Sequence, residues 1–296
     1  MHEKFSYRIL IMGLRVGLGF ILTAGVAHAQ QQPYVTTTPT QADLYCSGLI
    51  TDQPVPTDTY VISGENSSYK STFQPGDAIY INRGATQGVR VGDEFDVVRP
   101  ITDMMATTVW FKYQSMLSRA MGTRYADIGR LRVIEVYPKT STAEMDVKCD
   151  LMQRGDLVRP FVARPAPQFH DVKFDPFVGP SGKKTAMVVT AKDYQMLTGP
   201  GKIVYVNLGS AQGVRVGDYF RVFRYQGTRI ETVYQVKDTA FKAYGYGSTP
   251  VAYEWSNLPR QVLGEGIVLR IGPNSSTVMV TTAREEIYVG DYVEVE

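Results

Sequence analysis

The sequence is poor in the groups most enzymes rely on. Its 296 residues hold three histidines, two cysteines and two tryptophans. His2 and His28 fall in an N-terminal leader, so His170 is the one imidazole beyond it. A Ser-His-Asp or Cys-His arrangement would have to be built on that residue. His170, with Asp171 and Asp175, sits among prolines and lacks the Cys/His spacing of a zinc site. A solvent-facing loop is the better reading of it, and no metal or cofactor is expected. An excess of charge is missing as well. Residues 1–29 contain Lys4, Arg8, Arg15 and Glu3, so beyond them Lys+Arg falls from 31 to 28 and Asp+Glu from 29 to 28. A neutral chain without a basic stripe offers little to a phosphate backbone, which excludes nucleic acid as an expected partner. No segment after the leader reaches the ~20 apolar residues of a membrane span.

What is present begins with the leader. Lys4 and Arg8 precede an apolar run, clearest from Val16 to Val26, and Ala27-His28-Ala29 then places small residues where a signal peptidase reads. Residues 1–29 are therefore expected to be a secretory signal peptide, with an uncleaved anchor as the alternative. Export places Cys46 and Cys149 in an oxidising compartment. A Cys46–Cys149 disulfide is the favoured expectation; two separately buried thiols would also fit.

The most informative feature is self-similarity. Gly76–Arg99 aligns without a gap on Gly201–Arg224, and 14 of 24 positions are identical. Gly129–Val158 aligns in the same way on Gly264–Val293. This order predicts an N-terminal extension (30–60) with a mobile start, then a first β module (61–160). A proline-rich extended linker (161–184) leads to a second β module (185–296). The fold class expected is mainly β: two tandem, separately closed, small barrel-like modules. Each carries an insert, and the first insert (101–128) holds a helix over 108–121.

Within each module the chain reads as strand, turn, strand. Gly84 to Gly88 and Gly209 to Gly213 mark turns, and neither is expected to open a helix or cradle phosphate. A Gly-Asp pair precedes an apolar strand four times: Gly92-Asp93, Gly155-Asp156, Gly217-Asp218 and Gly290-Asp291. Paired carboxylates can do acid–base work. An aspartate accepting backbone N–H groups at a tight turn explains the identical placement better, so no catalytic residue is expected. Arg154-Gly155-Asp156 spells an adhesion tripeptide, but its counterpart is Val289-Gly290-Asp291, so an ordinary turn is the simpler reading.

Aromatic clusters in the inserts are the candidate interaction surface: Trp110 and Tyr113 beside Phe111 in the first, and Tyr244, Tyr246, Tyr253 and Trp255 in the second. The competing reading is that they cover the barrel ends.

The run Val204-Tyr205-Val206-Asn207, with Gly209, Gly213 and Val216-Gly217-Asp218, is followed by Gly266-Ile267-Val268 and Val289-Gly290-Asp291. This pattern resembles the C-terminal domain of flagellar assembly protein T, and also modules found beside LysM domains in bacterial peptidoglycan-binding proteins. The whole chain resembles an uncharacterised family of exported bacterial proteins with two such modules. The resemblance implies a periplasmic or outer-envelope location and a part in an assembly. A LysM pattern and the other domains of the flagellar protein are missing, so peptidoglycan binding does not carry over. The expected function is a non-catalytic structural or interaction role, with other envelope proteins or cell-wall components as partners. A module binding cell-wall glycan or a small ligand is the alternative, and a hydrolase is the least favoured.

Overall fold

Runs of β-branched and aromatic residues cut by glycine turns fold as short antiparallel strands. The computed structural model describes residues 36–66, 68–101, 109–168, 175–226 and 259–296. The first half comprises α1 (Gln41–Tyr45), β1 (Leu49–Thr51), β2 (Val61–Gly64), β3 (Thr72–Phe73), β4 (Ile79–Ile81) and β5 (Glu94–Pro100). It continues with α2 (Gln114–Met121), β6 (Thr123–Val136), β7 (Ser141–Lys148), β8 (Met152–Gln153) and β9 (Leu157–Pro160). The second half comprises β10 (Thr185–Ala191), β11 (Leu197–Thr198), β12 (Ile203–Val206) and β13 (Tyr219–Arg224). β14 (Gln261–Ile271), β15 (Ser276–Ala283), β16 (Ile287–Tyr288) and β17 (Tyr292–Val295) complete it.

The second half is a closed barrel in the order β10-β12-β15-β14-β13-β17, with β17 paired back onto β10. The first half is a seven-stranded, barrel-like sheet whose path follows the corresponding order β2-β4-β7-β6-β5-β9, with β1 added on β6. Its seam is narrower: a bridge between Tyr60 and Leu157, with backbone bonds Val61 N to Asp156 O and Val158 N to Thr59 O, both 2.9 Å. Inward positions alternate with outward ones along each strand. Val61, Ile79, Ile81, Phe95, Val97 and Leu131 fill the first barrel. Val188, Val204, Val206, Phe220, Val222 and Val268 fill the second.

The outward positions separate the halves. Glu94, Arg132 and Glu144 of the first barrel align with Tyr219, Ile267 and Met279 of the second. Arg132 pairs with Glu94 at 2.7 Å on the first barrel's surface. In the second barrel the aligned residues are buried with Val189, Ile203, Tyr205 and Leu269 beneath Leu44, Ile50 and Met121. β14 is correspondingly buried on both faces, from Val262 to Arg270.

The cover is a strap, residues 44–51, that belongs to both barrels. The Cys46–Cys149 disulfide and pairing of β1 with β6 fix it to the first. To the second it is held by Tyr205, whose hydroxyl donates to Ser47 O at 2.9 Å, and by Thr277 Oγ1 to Gly48 O at 3.2 Å. Ser275 Oγ also donates to Ile50 O. Gly48 has φ +72°, and a Cβ there would lie 2.4 Å from the Tyr205 hydroxyl, so only glycine fits.

Several expectations need correction. The N-terminal segment is anchored from Thr36: Thr37 N donates to Thr281 O at 2.8 Å, and Thr40 caps α1. α2 starts at Gln114, later than expected, because Phe111 leaves the helical path to enter the second barrel's core. Trp110 and Leu117 pack against the same core, so the second core is not self-sufficient, whereas the first is built from its own half alone. β6 begins at Thr123, inside the expected insert, because that stretch pairs with β1 and with the end of β5. The two glycine turns each contain one turn of 3-10 helix, Ala85–Gln87 and Ser210–Gln212. Much of the second insert, 227–258, lies outside the described residues.

The disulfide closes a loop with a sequence separation of 103 residues. Replacing both cysteines by serine is expected to lower unfolding free energy by about 4–5 kcal/mol through the gain in chain entropy. Urea denaturation of the oxidised and Cys46→Ser/Cys149→Ser proteins measures it; equal midpoints would show that the strap needs no staple.

Candidate functional site

The four turn aspartates do structural work. Asp93 Oδ2 accepts from Arg90 N at 2.9 Å, and Asp218 Oδ2 from Arg215 N at 2.8 Å. Asp156 and Asp291 accept likewise from Gln153 N and Tyr288 N, each at 2.7 Å. Each of these two is also held in a fork by one edge of an arginine, its Nε and Nη2. Arg99 reaches Asp156 at 2.7 and 2.8 Å, and Arg224 reaches Asp291 at 2.8 and 2.7 Å. Burial pushes the Asp291 carboxyl up, and Arg224 pulls it back. The Asp156 side chain is 3% exposed, which removes it as an adhesion ligand. The paired arginines were visible in the sequence, since both aligned first segments end in one.

The turn glycines Gly88, Gly92, Gly155, Gly213, Gly217 and Gly290 all have φ between +83° and +105°. Gly84 and Gly209 are needed for another reason. A Cβ would lie 2.3 Å from Tyr137 O in one and 2.4 Å from Gly272 O in the other, where each 3-10 turn abuts a hairpin.

Of the aromatic candidates, Tyr113 is exposed and Trp110 is partly covered against the second barrel's core, which takes it out of a free surface. Tyr244, Tyr246, Tyr253 and Trp255 lie outside the described residues, as do His170 and Asp171. Among the described residues no group of three or more His, Cys, Asp or Glu is placed to hold a metal ion. No described helix is long and apolar enough to cross a membrane.

The densest polar chemistry lies at the seam between the barrels. Arg270 of β14 donates from Nη1 to both Asp127 oxygens of β6, at 2.9 and 2.8 Å, and to Gly48 O at 3.2 Å. Asp127 Oδ2 also accepts from Gly48 N at 2.8 Å. Burial lowers the Arg270 pKa, and Asp127 opposes that shift. Arg164 crosses the same region, donating to Leu44 O at 2.6 Å and Asp96 at 3.0 Å. Arg124 of β6 sits over the rings of Tyr194 and Tyr205, 4.1 and 4.9 Å from their centroids.

Two cross-strand triads occupy aligned positions with opposite charge. In the first barrel Asp96 lies between Arg130 and Arg159. In the second, Arg221 lies between Glu265 and Glu294. The first triad borders a cleft of about 330 Å³ beside Arg164 and Arg270. In the second, burial, with Glu296 next to it, raises Glu265 to about 7. Sequence reading passed over both triads, because each charge taken alone resembles a solvated strand position.

Two outcomes follow. Arg270→Met leaves Asp127 buried with only the longer contact to Arg164, 3.6 Å, as a cation, and is expected to cost up to about 3 kcal/mol, whereas adding Asp127→Leu recovers part of that loss. Urea unfolding of the single and double variants measures both; additive losses would refute the pairing. Protonated Glu265 contributes stability that is full below pH 4.5, its unfolded value, and lost as pH rises through about 7. Glu265→Gln should flatten the melting temperature across that window and raise it above pH 7; an unchanged profile would place the titration elsewhere.

Compared with protein-family models and with curated proteins, the chain matches none of either.

Proposed function

We propose that this chain is an exported, non-catalytic envelope protein, built from a duplicated β module, that serves a structural or assembly role. The observation that carries the reading is an asymmetry between barrels. The second barrel's outer face is covered by the strap and by Met121. On the first barrel, Tyr60, Ile62, Tyr80, Ile134 and Tyr137 remain 37–45% exposed on and beside β2, β4 and β6. Tyr80 is the aligned counterpart of the buried Tyr205. A group of exposed aromatic and aliphatic side chains on a disulfide-stapled body suits contact with another protein. The engagement of all four turn aspartates in backbone or arginine bonds supports the absence of acid–base chemistry there. The resemblance to envelope assembly modules and the signal-like leader support the location.

Photo-crosslinking in cells tests the proposal. A photoreactive residue at Ile62 or Tyr80 should give discrete adducts with an envelope protein. Leu197, also exposed but on β11 of the second half, serves as the control. Adducts no stronger than those at Leu197 would remove the surface from consideration.

A further inference from the structure

The cleft at the seam holds more cation than its own carboxylates neutralise. Arg159, Arg164, Arg270 and Asp96 line it. Asp96 accepts from Arg164 at 3.0 Å and from Arg159 at 3.5 Å, and Asp127 takes Arg270. Arg130, the other neighbour of Asp96, is taken by Glu94 at 3.3 Å, so three guanidinium groups face two carboxylates, which leaves one positive charge. All the hydrogen bonds of Arg270 to described residues leave from Nη1, and Arg159 makes only the long one from Nη2. Their other N–H groups have no acceptor among the described residues. The Arg270 and Arg159 side chains are largely covered, 9% and 24% exposed, and N–H groups left open to a cleft from such side chains gain from an anion that accepts in a fork.

The rest of the wall fixes the class of that anion. Leu269, Ile271, Val216 and Pro160 are aliphatic, and none of the described residues that line the cleft is aromatic. That disfavours stacking of a sugar and suits an aliphatic body. The volume of about 330 Å³ lies at the small end of ligand sites. One surplus charge matches a monoanion better than a dianionic phosphate ester.

We propose that the inter-barrel cleft binds a small aliphatic carboxylate, either the carboxyl end of a peptide or a free aliphatic acid, with Arg159 and Arg270 as the receiving cations. The site is separate from the exposed face of the first barrel, so its failure leaves the assembly role standing.

Titration calorimetry of the full chain with acetyl-Ala-Ala, its C-terminal amide and valerate tests this. The acid is expected to bind and the amide to bind about tenfold more weakly or not at all, the loss of a charged hydrogen bond. Tighter binding of acetyl-Ala-Ala than of valerate assigns the cleft to a chain end; the reverse order assigns it to a free acid. Arg159→Gln should weaken binding by about tenfold. Val216→Asp, a half-exposed position, should weaken it by repulsion without removing a packing partner from either core. Asp96→Asn should tighten it, an effect opposite to that of a merely structural loss. Equal heats for acid and amide, no heat at millimolar ligand, or affinities unmoved by these folded variants would overturn the proposal.

Discussion

Arg270 reaches out of the second barrel and is received by Asp127 of the first, with Gly48 of the strap closing the ring. Neither charge would be tolerated in that place alone, because an unpaired buried ion costs several kcal/mol. Around it the strap and α2 cover apolar positions of the second barrel that would otherwise face water. The pair therefore fixes register, while the apolar contact supplies most of the driving force. The relative placement of the barrels, the cleft between them and the exposed face left on the first all follow from this one junction.

The two halves show how one architecture accepts two fates. Each has a path of six strands in the same order, with a 3-10 turn against a hairpin and an aspartate turn locked by arginine. The outward positions alone decide what each barrel does. Charged residues such as Glu94, Arg132 and Glu144 keep one face in water. Their counterparts Tyr219, Ile267 and Met279 bury the other. The charge-inverted triads repeat the theme, since the same three strand positions hold Arg-Asp-Arg in one barrel and Glu-Arg-Glu in the other.

The strands and turns were legible because their signals are local. Glycine in φ > 0 positions, aspartate beside it and alternating Val, Phe and Tyr act within a few residues. The seam was less legible because its partners are far apart in sequence. Asp127 and Arg270 are separated by 143 residues, and Phe111 serves the core of the other half. One signal was nevertheless available. The alternation of Arg130–Val136 gives way in the aligned Glu265–Ile271 to the apolar run Ile267-Val268-Leu269, which marks a strand covered on both faces. The start of α2 departs from the sequence periodicity because Val109 keeps helical spacing with Tyr113, while tertiary contact pulls Phe111 off that path.

Differential scanning calorimetry of the oxidised chain tests the junction most directly. Barrels that share a strap, a buried ion pair and the Phe111 side chain should unfold in one transition, with equal calorimetric and van't Hoff enthalpies. Two resolved transitions, each carrying the heat of one barrel, would contradict the account.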